Sequence, residues 1–236
     1  MNKFANRVDR TFLNIANNWL LYLNVLFAVY VGLPFVAPVL MKVGWERPAQ
    51  AIYTIYRPLC HTFAYRSWFL FGEQAYYPAS QFEAFTGQNP YTNEGRFFAR
   101  QFVGDERMGY KVGYCQRDIA IYGALLIFGI VYATLNHFGK PPRPIHIAIY
   151  LLLGIAPIAL DGFSQLFSQP PLSYIPLLSV LPLRESTPIL RTLTGGLFGL
   201  MNGWLAFPYV AESMVEIKAD IEKKFAKQGK GKHAGA

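Results

Sequence analysis

The sequence predicts an all-α fold, a polytopic membrane helix bundle of four spans with an aromatic-rich cap on the outer side and a re-entrant or interfacial helix. Of the 236 residues, 53% are hydrophobic and only 15% are charged, against roughly 25% in an average soluble domain. The polar residues gather in one central stretch and near the C-terminal end. Several apolar runs between them have the length that crosses a bilayer.

Four apolar stretches are long enough to span about 30 Å of hydrocarbon, at residues 19–41, 119–135, 145–160 and 189–210. The first has no small-residue cleavage site and is too long for a secretory signal, so we expect it to be retained. The third is the shortest and contains Pro157. A proline is tolerated in a span where neighbouring helices satisfy the backbone that it frees.

Short basic segments predict the orientation. The N-terminal leader, the connector at 140–144 and the C-terminal tail hold 11 of the 22 Lys and Arg residues. Four alternating spans put all three segments on one side, and basic segments mark the cytoplasmic side. We therefore expect a multi-pass protein of the cell (inner) membrane with both termini cytoplasmic. The net charge of +8 follows from this topology, so we expect the lipid bilayer as a partner and no nucleic acid.

These spans divide the chain into four parts. Residues 1–41 are the leader and first span, 42–118 an exoplasmic segment, 119–210 a three-span core, and 211–236 a basic cytoplasmic tail that begins as an interfacial amphipathic helix. Within the exoplasmic segment, helical spacing of apolar residues predicts an interfacial or re-entrant helix from Pro48 to about Phe71. From Gly72 to about Lys111, aromatic residues alternate with turn residues, which predicts an ordered cap.

The predicted topology places the unusual polar residues in one layer at the outer interface. Charged groups at membrane depth cost on the order of 2.5–3.5 kcal/mol each, so we expect them to be paired or to face a polar cavity. Asp161 is a candidate general base, metal ligand or ion-pair partner, and we expect it to contact at least one arginine of the layer. The members are Cys60, His61, Arg66, Ser67, Cys115, Arg117, Asp118, Asp161, Gln165, Arg184, Glu185, Ser186 and Arg191.

Cys60 and Cys115 are the only cysteines of the sequence. With His61 and Asp118 they offer the sulfur, nitrogen and oxygen ligands that zinc accepts. A disulfide between them is the alternative, because an exported segment permits one and it would close a long loop. Free buried thiols are the third interpretation, and the residues alone leave all three open.

Two further patterns near the last span predict structure. Ser186 or Thr187 followed by Pro188 is typical of a helix start, with the hydroxyl as N-cap and the proline in the first turn. Gly195 and Gly199, four residues apart, predict close packing against another helix.

Five ordered motifs resemble a family of predicted prokaryotic integral membrane proteins, known only as a domain of unknown function. The motifs are Cys60-His61 with Arg66-Ser67, Cys115-x-Arg117-Asp118, Asp161-Gly162-x-x-Gln165, Arg184-Glu185-Ser186, and Thr194-Gly195. The resemblance covers about residues 60–210 and implies no established reaction. It implies a metal knot of Cys60, His61 and Cys115, in which Asp118 stands where the family has a second cysteine. An insertion of roughly 40 residues before Cys115 also departs from many members.

Two functions remain open at this point, and whether the protein is an enzyme is uncertain. In the first, the protein is an accessory or structural subunit that docks through its cap to a larger membrane assembly. In the second, it is a metal-dependent hydrolase or transferase that acts on a lipid or polyprenyl phosphate at the membrane interface. Asp161 or Glu185 would then be the base, and the phosphate would bind to four arginines, Arg66, Arg117, Arg184 and Arg191.

Overall fold

The computed structural model describes residues 3–233, with side chains described over residues 6–226. The helices are α1 (Lys3–Lys42), α2 (Glu46–Tyr56), α3 (Ala79–Thr86), α4 (Asn93–Gln101), α5 (Gln116–His137), α6 (Ile147–Ile149), α7 (Ala156–Ser168) and α8 (Pro188–His233). The strands are β1 (Ser67–Leu70), β2 (Gly104–Asp105) and β3 (Gly109–Cys115). A π-helical stretch, Tyr150–Ile155, joins α6 to α7, so that the chain is helical throughout Ile147–Ser168.

Within the part of the chain that the structure describes, three helical segments are long and apolar enough to cross a membrane, namely Asn6–Lys42, Gln116–His137 and Ile147–Ser168. In α1, non-helical dihedral angles at Asn18 separate the basic leader from the apolar part. The third segment extends eight residues beyond the predicted end at residue 160, because Asp161, Gln165 and Ser168 are buried within the protein and do not end the helix. The fourth predicted span, at 189–210, stays a prediction.

Successive long helical segments alternate in direction along the chain. Ile147–Ser168 is antiparallel to α8, because a Cβ atom at Gly154 would contact Met201 while Asp161 bonds Arg184, shortly before α8. Trp19, early in α1, packs on Tyr132, late in α5, whereas Tyr30 packs on Tyr122 nearer the start of α5, so the two helices are antiparallel. On α8, Phe207 contacts Tyr132. Since Gly195 at the start of α8 faces the first turn of α5, α8 runs parallel to α5.

Glycines of α8 allow this helix to approach α5 closely. A Cβ atom at Gly199 would lie 2.1 Å from the backbone oxygen of Ile121, and one at Gly195 would lie 2.6 Å from that of Arg117. A Cβ atom at Gly196, by contrast, would meet no atom within 4 Å. The prediction that Gly195 and Gly199 serve helix packing is therefore confirmed.

Between α1 and α5 the chain forms a small folded unit, residues 46–115, which we call the head. It contains a three-stranded antiparallel sheet in the order β1-β3-β2, with Ser67 opposite Cys115 and Gly104 opposite Tyr110. The all-α expectation is wrong on this point. The single helix predicted from Pro48 to about Phe71 is also wrong, because α2 ends at Tyr56, shortly before Pro58.

The head has an aromatic core of its own, and it also packs against α1 through a separate apolar cluster. Tyr65, Phe69, Tyr77 and Phe82 are buried together between the sheet and α3. On the other side of the head, one face of α2 and Tyr114 of β3 pack on α1. The cap is thus an ordered structure, as its turn and aromatic pattern predicts.

Lys111 lies buried in β3, at the centre of the sheet, with 2% of its surface exposed. Its Nζ donates hydrogen bonds to the backbone oxygens of Thr62 (2.9 Å) and Arg100 (2.8 Å). The ammonium group therefore ties the loop before β1 and the end of α4 to the sheet. Burial and the nearby guanidinium of Arg57 lower the pKa of Lys111 to about 7.

At the opposite end of the bundle, α8 continues into the tail without a break, so the tail is not a separate helix. There Lys224 Nζ lies 2.5 Å from Asp9 Oδ2 of α1. The predicted leader and the predicted tail include residues 1–2 and 234–236, which lie outside the described residues.

Candidate functional site

Four separated segments bring polar side chains together where the head meets the helices. The segments are the loop from Cys60 to Arg66, the junction of β3 and α5, the second half of α7, and the chain that leads into α8. We call this cluster the polar layer. The convergence that the sequence predicts is present in the structure.

Asp161 of α7 is the first of two acidic centres in the polar layer, and only 2% of its side-chain surface is exposed. Its Oδ1 accepts a hydrogen bond from Arg184 Nη2 at 2.8 Å, and its Oδ2 accepts from Ser186 Oγ at 2.8 Å and from Arg117 Nη2. The expected contact with an arginine is therefore confirmed for Arg117 and Arg184. Arg191, the third arginine considered, pairs with the other acidic centre.

Glu185 is the second acidic centre and joins the head to two helices. Arg66 of the head donates to both of its oxygens through two guanidinium nitrogens, from Nε to Oε1 at 2.8 Å and from Nη2 to Oε2 at 3.0 Å. Gln165 of α7 and Gln169, directly after α7, donate to it at 3.0 and 2.6 Å, and Arg191 of α8 forms a further ion pair. Such bidentate, charge-assisted bonds are among the stronger polar contacts in proteins.

Two glutamines that were not among the predicted site residues, Gln116 and Gln169, extend these ion pairs. Gln116 is fully buried, accepts from Arg191 Nη1 at 3.3 Å and donates to the backbone oxygen of Ser67 at 3.1 Å. Gln169 bonds Arg66 as well as Glu185. The available signal for Gln169 was its position four residues after Gln165, although its backbone is extended and it lies directly after the end of α7. An amide without charge gave no comparable signal at Gln116.

Of the two hydroxyl groups before α8, Thr187 is the N-cap, because its Oγ1 accepts from the backbone nitrogen of Leu190 at 3.2 Å. Ser186 instead bonds Asp161. The predicted helix start at Pro188 is correct, and the capping alternative is decided in favour of Thr187.

Cys60, Cys115 and Asp118 form a compact group within the polar layer. One ligand atom from each residue can be chosen so that all lie within 4.8 Å of one another. Cys115 Sγ donates to Asp118 Oδ2 at 3.0 Å, and both thiols are free. Hydrogen bonding with Cys60, together with burial, raises the pKa of the Cys115 thiol well above its usual value. The thiol of this structure is therefore protonated at neutral pH.

His61 is not part of that group. Its ring lies against Phe63, with 5.5 Å between the ring centroids. Partial burial and the guanidinium groups of Arg66 and Arg100 lower the pKa of His61, so the imidazole is neutral at pH 7. The structure thus gathers three of the four predicted metal ligands. Two sulfurs and one carboxylate oxygen suit zinc, whose ligand atoms lie about 3–4 Å apart in a tetrahedral site.

Two neighbouring cavities border on the polar layer. The larger, of about 360 Å³, is lined by Arg66, Arg117, His61 and one face of α7. The smaller, of about 150 Å³, is lined by the cysteine group and shares both arginines with the larger cavity. The same guanidinium groups therefore face the possible metal ligands and the larger open space.

Residues 107–205 match the model of a family described as predicted membrane protein (DUF2085). The resemblance to an uncharacterised family of predicted membrane proteins is confirmed by this match. The matched stretch holds Cys115, Asp161 and Glu185 and excludes Cys60, His61 and Arg66. Comparisons with curated proteins and with solved structures gave no match.

Proposed function

Because residues 107–205 match a family of predicted membrane proteins, we propose that this chain is a four-span protein of the inner membrane that serves as an accessory or structural subunit. In this proposal both termini are cytoplasmic, residues 42–118 form an exoplasmic segment, 119–210 the three-span core and 211–236 the tail. The alternating helix directions and the basic segments at one end of the bundle support it.

The observation that carries a non-catalytic role is the saturation of both acidic centres. Asp161 bonds two arginines and a serine, and Glu185 bonds two arginines and two glutamines. A general base needs a lone pair within reach of a substrate proton. Each of these carboxylates instead holds guanidinium groups from other segments, which is what a structural joint between head and bundle requires.

Exposed aromatic side chains on the head support docking to another membrane protein. Phe97 of α4 has 64% of its surface exposed, and Phe71, after β1, has 50% exposed. Phe71 also adopts a positive φ of 66°, a backbone conformation that is uncommon for a bulky residue and costs energy. Aromatic residues are enriched at protein interfaces.

Site-specific photocrosslinking in native membranes tests the subunit role. A benzophenone amino acid at Phe97 or Phe71 is expected to give one discrete protein adduct. The benzophenone amino acid at position 26 is the matched control, because Leu26 is 59% exposed on α1. At this position it is expected to label lipid. If neither head position gives a protein adduct under conditions where position 26 labels lipid, the result contradicts the proposal.

The group of Cys60, Cys115 and Asp118 favours a second candidate, a metal-dependent hydrolase or transferase for a lipid or polyprenyl phosphate. Three donors leave room for a further ligand, as in catalytic zinc sites, and the group adjoins arginines that suit phosphate. Bound zinc would supply a Lewis acid or an activated water. The residues of the chain would hold the metal and orient the phosphate through Arg66 and Arg117.

Metal analysis of the purified protein separates the candidates. The enzyme candidate requires about one equivalent of zinc in the parent and its loss in Cys115→Ser, with Ser186→Ala as a control that leaves the donor group intact. An intact protein without stoichiometric metal, or with a Cys60–Cys115 disulfide on mass analysis, excludes it and leaves the subunit proposal in place.

A further inference from the structure

The larger cavity lies where α7 passes the head and has two chemically different parts. Arg66 of the head and Arg117 of α5 form its cationic part, and the neutral imidazole of His61 lies beside them. One face of α7 and Gln169, directly after α7, form the remaining wall, with Gln165 and Gln169 near the head and apolar residues farther from it. The apolar residues are Ile158, Ala159, Gly162, Phe163 and Leu166.

The electrostatics of this cavity favour an anion. Among the residues that the structure describes, no carboxylate lines it. Within the polar layer, four guanidinium groups stand against the carboxylates of Asp161, Glu185 and Asp118, which leaves an excess of positive charge. The buried Nε–H of Arg117 also has no hydrogen-bond acceptor among the described residues. Arginine side chains arranged in this way suit phosphate oxygens.

The surface beside the cavity is apolar and accessible. Phe163 has 54% of its surface exposed, and Leu166 has 52% exposed. Both lie on Ile147–Ser168, one of the segments that are long and apolar enough to cross a membrane. A molecule with its charged head at the arginines can therefore extend an apolar chain along α7 into hydrocarbon. A volume of about 360 Å³ suits a headgroup and the first part of a chain.

We propose that this cavity binds a phosphate-bearing amphiphile, with the phosphate between Arg66 and Arg117 and the apolar chain along Ile158 and Phe163 of α7. The site goes beyond the subunit role. It shares Arg66, Arg117 and a lipid phosphate with the second candidate function, but it requires neither a partner protein nor a metal, so it stands or falls independently of the metal analysis. Its ligand comes from the bilayer, because the apolar wall contributes to affinity that a free phosphate ion cannot obtain.

Gly162 provides a variant that blocks the cavity without removing an ion pair. A Cβ atom there would meet only Arg117 Nη1, at 3.7 Å, which is an ordinary contact. Gly162→Ala should therefore fold and retain the ligand, whereas the larger side chain of Gly162→Leu should occupy the cavity. Gly123→Leu on α5 is the matched control, since a Cβ atom at Gly123 meets nothing within 4 Å.

The test measures binding to the full chain in a neutral maltoside detergent, by native mass spectrometry and calorimetry. The probes are dodecyl phosphate, inorganic phosphate and dodecyltrimethylammonium. We expect dodecyl phosphate to bind at least about ten-fold more tightly than either of the others, a difference of about 1.4 kcal/mol. Gly162→Leu should lose this preference, while Gly162→Ala and Gly123→Leu should keep it.

Three results would overturn the inference. Equal binding of the phosphate and ammonium amphiphiles by the parent protein would show that charge does not select the ligand. Equal binding of inorganic phosphate would assign the site to a soluble anion. Unchanged binding by a folded Gly162→Leu protein would place the ligand elsewhere. None of these readouts depends on the crosslinking that tests the subunit role.

Discussion

Replacing Asp161 by alanine should strongly destabilise the protein. Among replacements of single hydrogen-bond acceptors in the polar layer, we expect only the replacement of Glu185 to cost more. The carboxylate bonds Arg117, Arg184 and Ser186 and is almost completely buried. Breaking a buried ion pair by removal of one partner costs about 3–5 kcal/mol. Because the side chains of Arg117 and Arg184 are 23% and 36% exposed, water can solvate them in part, so we expect about 3 kcal/mol.

The assay is thermal unfolding in detergent, compared among the parent, Asp161→Ala, Asp161→Asn and Ser186→Ala. A loss of about 3 kcal/mol corresponds to a Tm lower by roughly 6–12 °C for a protein of this size. Asp161→Asn should lose less, because it keeps the shape and part of the hydrogen bonding. Ser186→Ala removes one hydrogen bond to the same carboxylate and should cost about 1 kcal/mol. If Asp161→Ala is as stable as the parent, the carboxylate has no structural role and the reasoning fails.

Two further predictions concern helix packing and the buried lysine. Gly199→Ala should lower the free energy of unfolding by about 1–3 kcal/mol, because its Cβ atom would overlap the backbone of α5. Gly196→Ala should be neutral or slightly stabilising. Equal Tm values for the two variants would refute the packing of α8 on α5. The pKa of Lys111 is lowered to about 7 from 10.5, so the unfolded state binds more protons between these values, and the lysine's contribution to stability rises as the pH rises from about 7 to 10.5. Tm measured against pH in this window should therefore rise more steeply for the parent than for Lys111→Met, and identical slopes would show that Lys111 is not desolvated.

The sequence predicted well the features whose absence would carry a large energetic cost. Buried charge must be paired, so the convergence of Asp161, Arg117 and Arg184 followed once the spans were placed. The small residues of α8 predicted close contact with another helix, which the structure shows to be α5, because a Cβ atom would not fit there. The proximity of Cys60 and Cys115, separated by most of the head, was expected from the same layer.

The features that were missed have weaker signals. β3 combines Lys111 with aromatic residues and two glycines, and its alternation of polar and apolar residues is too irregular to distinguish a short strand from a loop. The end of α2 was misplaced although Pro58 offered a helix-breaking signal. The end of the third span was misplaced because Asp161 and Gln165 were expected to follow the span, whereas the polar layer satisfies both side chains within the helix that forms it.

The central claim is that the buried ion pairs of the polar layer join the head to the helices, and a double-mutant cycle on Arg66 and Glu185 tests it most directly. The free energy of unfolding would be measured for the parent, Arg66→Gln, Glu185→Gln and the double variant. Since Arg66 bonds both oxygens of Glu185 and their side chains are 20% and 16% exposed, we predict a coupling energy of about 1–3 kcal/mol. Effects that add within about 0.5 kcal/mol would contradict the claim.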